Sequence, residues 1–360
     1  MKHVSQAFAA GSLPSGAGES LCICRHGQVQ LLFCSGESAP GISWQEDTLV
    51  PIFSATKPLS AACLLLALHE RGLTPSLPVG ELWAAFPAPQ CSIADLLSHQ
   101  CGLAAWARSA PYSDLEACRA AIESSTPEWL PPRHGYHPHT FGPLVDILML
   151  LLTGLRIGEF WESRVRCPLG LDVYIGLPES EFHRVAWLRA PRLQGGALPR
   201  SPFYSQYANP ASLTHRAFHS LSGLASIREM NTPAAWRCAC PARGGVASSR
   251  GLAMAYQALT GALPGSPFPA QVLDWLSKPQ CGGDDLTLLT PTSFSCGAMC
   301  GSAPYLGRGG FGHPGAGGFH AFAELSSGCS FAYVMNQMQL ATLPLPRVQS
   351  LIEAMVHDFS

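Results

Sequence analysis

Residues 20–25 and 29–35 are short, largely apolar strand-like runs, with Cys22 and Cys24 alternating in the first, and His26-Gly27-Gln28 between them has the length and the glycine of a hairpin turn. Two short strands at or near one edge of a sheet are predicted there. From Pro58 to Arg71 the alternation gives way to Leu-Ser-Ala-Ala-Cys-Leu-Leu-Leu-Ala-Leu-His-Glu, rich in helix formers, apolar on most of its surface and followed by Gly72 as a stop. Such a helix belongs inside the protein. Shorter helical patterns follow at 93–98, 115–124, 142–152 and 249–259, separated by loops rich in Pro and Gly. Strand-like runs return at 319–325 and 330–335 around Ser326-Ser327-Gly328, and a last helical pattern covers 347–358. The residues ahead of the first strand read as a lead-in of small side chains, and no repeat period is visible. Strands at both ends with helices between them predict an α+β fold. Residues 1–73 and 283–360 would build an antiparallel sheet from both termini with flanking helices, and 74–282 a mostly helical insertion lobe, the active site lying in the cleft between them.

Composition narrows the function classes. At 360 residues the chain is long enough for two lobes, since single cores rarely grow past roughly 250–300 residues. Only 13% of the residues are charged, about half the usual ~25%, so the surface leans on Ser, Thr, Gln, Gly and Pro. The 22 basic and 24 acidic residues form no strong blocks, which argues against nucleic acid or an anionic membrane as a partner and for a small or neutral substrate. No apolar run of the kind found in secretory signals follows Met1-Lys2-His3, and the longest apolar stretches, 61–68 and 147–152, fall well short of the ~20 residues that span a bilayer. A cytoplasmic protein is expected. The 14 cysteines are scattered through apolar runs, as at Cys63 and Cys329, and none forms a C-x-x-C pair, so they read as small buried hydrophobes kept reduced.

The chemistry centres on Phe53-Ser54-Ala55-Thr56-Lys57-Pro58, which places S-x-x-K where the buried helix begins. At that spacing Ser54 and Lys57 share one helical face. A lysine is a poor base at its ordinary pKa, but burial and nearby positive charge depress it until it accepts a serine proton. Pro58 is tolerated only in a first turn, which would put Ser54 at the helix N-terminus, where the dipole and free N–H groups favour a developing oxyanion.

This segment resembles the active-site helix of the class C β-lactamase and family VIII esterase superfamily. Thr48-Leu49-Val50-Pro51-Ile52-Phe53-Ser54, then Glu70-Arg71-Gly72-Leu73, then Ile93-Ala94-Asp95-Leu96-Leu97-Ser98-His99-Gln100-Cys101-Gly102-Leu103 look like that family's successive landmarks, and Arg133-His134-Gly135-Tyr136-His137-Pro138 resembles its second motif. The resemblance implies a β-lactamase/transpeptidase-like fold and a serine hydrolase with Ser54 as nucleophile, Lys57 as base and Tyr136 facing the serine, its phenolate sharing the base role. Phe311-Gly312-His313-Pro314-Gly315-Ala316 resembles the third motif. It implies an oxyanion hole from the N–H groups of Ser54 and Ala316, with His313, Gly315 and His137 as substrate-binding positions and no cofactor or metal. Pro138 stands where β-lactamases carry an Asn that holds an acylamide, and His313 replaces a lysine that holds a carboxylate. Both departures favour an esterase on short acyl esters over a β-lactamase or a D-amino-acid peptidase, with a small-molecule ester or amide as partner.

Other readings compete. Gly307-Arg308-Gly309-Gly310-Phe311-Gly312 fits G-x-G-x-x-G, but a nucleotide site also needs a helix after the glycines. His134, His137 and His139, with His99 elsewhere, invite a metallohydrolase, but no pair has i, i+4 spacing and Pro138 intervenes. No G-x-S-x-G pentapeptide is present for an α/β-hydrolase. An inactive binding relative would have no physical need for Ser54, Lys57 and Tyr136 together.

Overall fold

The structure, a computed structural model, describes all residues except 12, 193–197, 225, 302, 308, 342 and 360. Its frame is a nine-stranded sheet whose described strand pairs are all antiparallel. In chain order the strands are β1 Gly18–Arg25, β2 Gln28–Ala39, β3 Ile42–Ser43, β4 Cys281–Asp284, β5 Pro291–Phe294, β6 Met299–Cys300, β7 Phe311–Gly315, β8 Phe319–Glu324 and β9 Cys329–Met335. They lie side by side as β3-β2-β1-β9-β8-β7-β6-β5-β4, so the chain's two ends meet where β1 pairs with β9. The hairpin expected at 26–28 is present, but β1 lies inside the sheet and only β2 and β3 approach the edge.

Alternation along β1 sorts its side chains between two cores. Leu21 and Ile23 face a layer made by α1 (Lys2–Ala10) and the last helix, α5 (Pro346–Asp358), with Val4, Val348 and Ile352 among them. Cys22 and Cys24 face the other layer, made by α2 (Lys57–Glu70) and α4 (Ser249–Ala258), where they act as small apolar residues. The lead-in of small residues is therefore a helix. Its packing comes from Val4, Ala7 and Phe8, and Arg347 fixes it by donating to Phe8 O at 2.8 Å and to Glu19 Oε1 at 2.6 Å.

Helix α2 is buried from Lys57 to Leu68, as its all-round apolar pattern demands. It runs between the sheet and α3 (Phe141–Thr153), and a Cβ on Gly297 would lie 2.1 Å from that of Ala61, so only glycine lets the 296–298 loop pass so close. The expected lobe boundary at residue 283 falls inside β4. Helix α4, expected in the helical lobe, packs on the sheet instead: Gln257 accepts from Gly27 N–H at 2.7 Å and donates to Gly328 O at 3.0 Å. A small sheet, Val50–Pro51 with Gly245–Ala247 and Val173–Ile175, ties the segment before Ser54 to the insertion. No single helix among the described residues is long and apolar enough to cross a membrane. After Gly307, Gly309 and Gly310 comes strand β7 and not the helix a dinucleotide fingerprint needs, while Arg308 of that pattern lies outside the described residues.

Candidate active site

Ser54 sits in a single 3₁₀ turn, Phe53–Thr56, that leads directly into the N-terminus of α2, with Pro58 in the first turn of that helix. The turn is strained. Phe53 has φ of 48°, a left-handed value that costs a bulky residue on the order of 1–3 kcal/mol unless its surroundings impose it. Thr56 imposes it: its hydroxyl donates to Phe53 O at 2.5 Å and accepts from Gly245 N–H at 3.0 Å. The Phe53 ring packs on Phe319 of β8 with centroids 5.5 Å apart, and the next residue, Ser54, is turned into a cavity.

Lys57 is fully buried. Its Nζ lies 3.1 Å from Ser54 Oγ and donates to Pro138 O at 2.9 Å and to Ala242 O at 3.1 Å. Desolvation holds its pKa well below the ordinary 10.5, and the Arg243 cation pushes the same way. A neutral amine has two N–H bonds and one lone pair. The two carbonyls take the hydrogens, which leaves the lone pair for the Ser54 proton.

Tyr136 donates its phenolic hydrogen to Ser54 Oγ at 2.7 Å. Burial pushes its pKa up, so it stands as a phenol rather than the phenolate that the resemblance implied. Its backbone is held by Asp285, a residue that sequence reasoning missed. That buried carboxylate accepts from Tyr136 N–H at 3.0 Å, from Thr287 and Leu288 N–H at 2.8 Å each, and from the Thr292 hydroxyl at 3.0 Å. Asp285 lies some 150 residues from Tyr136 in a loop with no motif of its own, so only the pairing could have revealed it.

The facing wall is β7. Gly315 lets it approach the serine turn: a Cβ there would lie 2.5 Å from Ile52 O. Its role is thus close packing of two backbones, and it does not line the cavity as a substrate contact. Ala316 does line it, and neither its N–H nor that of Ser54 has a backbone acceptor among the described residues. His313 lines the cavity too; its Nδ1–H donates to Pro314 O at 2.7 Å, which leaves Nε2 as a lone pair without a partner among the described residues. Desolvation, with Lys57 adding to it, lowers its pKa well below the ordinary value, so this imidazole is neutral.

The cavity measures about 290 Å³. Its outer wall comes from short helices that the sequence reading passed over, Pro202–Tyr207, Leu213–Phe218 and Ile227–Met230, which bring in Phe203, Tyr207, Phe218 and Met230. Their caps were readable: Ser201, Ser212 and Ser226 each accept from the N–H three residues on, and Ser226 and Glu229 form a capping box. His137 is not at the cavity. Fully buried, it donates from Nδ1 to Gly135 O at 2.7 Å and accepts at Nε2 from Leu103 N–H at 3.1 Å, so both nitrogens are used in holding the second-motif loop. His134 pairs with Thr292 at 2.9 Å, and only His139 of the three reaches the cavity. Trp106, Trp129 and Trp236 do not line it.

A profile of the beta-lactamase family matches residues 3–349. The chain belongs to the beta-lactamase family. It is a beta-lactamase-fold serine hydrolase, and its large antiparallel sheet with flanking helices is the fold of that family. The chain is 28% identical to the esterase/beta-lactamase LipL of Mycobacterium tuberculosis over 355 residues, 89% of this chain and 77% of that one. A penicillin-binding protein homolog from Caulobacter crescentus superposes with a TM-score of 0.86 at 29% identity, over 100% of this chain and 96% of that one. A family VIII carboxylesterase superposes with a TM-score of 0.84 at 26% identity, covering 100% and 97%.

Proposed function

We propose that this beta-lactamase relative is an esterase that hydrolyses short acyl esters through an acyl-enzyme on Ser54. The observation that carries this is the Ser54 hydroxyl held by Lys57 Nζ at 3.1 Å and Tyr136 OH at 2.7 Å, at the floor of a largely apolar cavity. Ser54 Oγ attacks the ester carbonyl while its proton passes to the lone pair of Lys57. The N–H groups of Ser54 and Ala316 take the oxyanion. Tyr136 gives its proton to the departing alkoxide and is reprotonated from Lys57, so the proton of the serine ends on the alcohol. Water then repeats the sequence in reverse on the acyl-enzyme.

Pro138 and His313 favour an ester over a lactam. Pro138 offers only a carbonyl, already taken by Lys57 at 2.9 Å, and no side-chain amide for an acylamide group. The lone pair of neutral His313 repels a carboxylate instead of binding it. The esterase relatives support the same choice. The reducing cytoplasm is the proposed location, which the fourteen free cysteines favour.

Titration with a serine-reactive fluorophosphonate tests the nucleophile: one equivalent should bind, on the peptide containing Ser54, and abolish esterase activity. Labelling elsewhere, or full activity after labelling, overturns the mechanism. Loss of two polar contacts, on the order of 3 kcal/mol, should put kcat/KM for p-nitrophenyl butyrate about 10²-fold or more above that for benzylpenicillin. A lactam turned over as well as the ester moves the assignment to beta-lactamase.

A further inference from the structure

The cavity wall carries one fixed cation that the proposed acyl transfer does not use. Arg243, half-buried, lines the cavity just ahead of the strand Gly245–Ala247. Its guanidinium donates from Nη1 to Leu224 O at 2.9 Å and from Nη2 to Gly223 O at 3.1 Å. Those carbonyls belong to a loop in left-handed conformation, with φ of 75° at Gly223 and 53° at Leu224, so the arginine and the loop fix one another. Neutral carbonyls orient the fork but do not cancel its charge. Among the described residues Arg243 has no carboxylate partner, whereas Arg119, Arg156, Arg184 and Arg347 each pair with one. Nor does any described Asp or Glu line the cavity.

A cation without an acid, held at the wall of an apolar cavity, is poorly screened and supplies a counter-charge for an anion. Its influence reaches the reacting groups, because after desolvation it is among the causes that lower the pKa of both Lys57 and His139. The cavity that holds Ser54 is also lined by apolar Leu224, Ile227 and Met230, and Leu224 is the residue whose carbonyl the guanidinium holds. An acyl chain bound among these side chains can present an anionic end to a guanidinium that is anchored on the 223–224 loop and not on β7.

Resting on the esterase reading above, we propose that Arg243 selects esters whose acyl chain ends in an anion, so that the preferred substrates are monoesters of dicarboxylic acids. The covalent chemistry is unchanged: the acyl–oxygen bond breaks, the bond to Ser54 Oγ forms, and the distal carboxylate stays ionised beside the guanidinium. This differs from a carboxylate held on β7, where the His313 lone pair would meet it.

The test compares p-nitrophenyl monoesters of adipic and suberic acid with p-nitrophenyl hexanoate and octanoate, after subtraction of enzyme-free hydrolysis. The wild-type enzyme should favour the anionic member of at least one length-matched pair by about tenfold or more in kcat/KM, the scale of one charge-assisted contact. Arg243→Gln should bring that ratio to about one or below, and Arg243→Lys, which keeps the charge but loses the fork that anchors it to the 223–224 loop, should retain part of it. Loosening of the 223–224 loop in either variant lowers both esters of a pair, so the ratio isolates the charge. A wild-type ratio at or below one for both lengths, or a ratio unmoved by Arg243→Gln, overturns the assignment of Arg243 while leaving the esterase reading intact. Failure of the wild-type enzyme to turn over any of the four esters overturns that reading, and this inference with it.

Discussion

Two buried polar clusters, one at the start of α2 and one on α3, differ in whether their hydrogen-bonding capacity is used up. Around Asp146 of α3 the carboxylate's capacity is met. The fully buried carboxylate accepts from Tyr112 OH at 2.6 Å, Arg156 Nε at 2.8 Å and Ile157 N–H at 2.8 Å, so a charge taken out of water is matched by a charge and by dipoles. Around Ser54 the capacity is left open. Among the described residues Lys57 is buried with no carboxylate partner, His313 Nε2 has no hydrogen-bond partner, and the two proposed oxyanion donors have no backbone acceptor. A satisfied cluster stabilises the fold, and an unsatisfied one at a cavity holds reactivity. Tyrosine thus serves different ends in the two: Tyr112 donates to a paired carboxylate and Tyr136 to the Ser54 hydroxyl.

Substitutions should separate the two. The largest effect is expected from Ser54→Ala, which removes the covalent route and should lower kcat by about 10⁴-fold with the melting temperature nearly unchanged. Asp146→Ala should do the reverse. Leaving Arg156 and Tyr112 without their acceptor should cost about 3–5 kcal/mol in urea unfolding, while kcat/KM of the protein that remains folded stays within a few-fold of wild type. An activity loss in Asp146→Ala as large as in Ser54→Ala, measured where the variant is folded, would break the contrast. Tyr136→Phe removes the proton donor but not the nucleophile, so a loss of about 10²-fold in kcat is expected, less severe for p-nitrophenyl esters because that leaving group needs little protonation. A loss equal for p-nitrophenyl and ethyl esters would contradict the role of Tyr136 as acid.

The smallest effect is on stability against pH, and its sign follows from Lys57. Its folded pKa is lowered well below 10.5, so between the two values the unfolded chain binds the extra proton and stability rises with pH. Lowering the pH through that window therefore destabilises the fold, and kcat/KM falls at the acidic end as the amine becomes charged. Lys57→Met should abolish activity, flatten this slope and leave the protein as stable or more so near neutral pH. An unchanged slope of unfolding free energy with pH in Lys57→Met would assign the proton uptake to another group.

Much of this was legible in the sequence where local pattern and burial agree. The all-round apolar run 58–71 became α2, buried as its pattern requires, and the strand-like run 20–25 became β1, which is buried on both faces because a helical layer covers each side of the sheet there. Ser54, Lys57 and Tyr136 were readable because S-x-x-K at a helix start and the second-motif tyrosine are local patterns. What escaped depends on partners distant in the chain. Nothing near Asp285 announces that it holds Tyr136, and His137 looked like a contact because sequence proximity to Tyr136 does not show that its ring turns inward to Leu103 N–H. Helix α1 reads as a lead-in of small residues although Val4, Ala7 and Phe8 stand at i, i+3 and i+4 on one face, and the partner that buries this face is α5 at the other end of the sequence.

The pairing of β1 with β9 bears on how the molecule is made. Glu19 lies opposite Met335 and Arg25 opposite Cys329, so the interior of the sheet joins segments more than 300 residues apart. During synthesis β1 and β2 emerge first and must wait as a lone hairpin, and α2 follows with its apolar surface uncovered. Strand β7, which closes the serine turn through Gly315 against Ile52, is among the last to arrive. Contacts so distant in sequence make for slow folding. A chain truncated before residue 311 should therefore accumulate as an aggregation-prone species with no esterase activity.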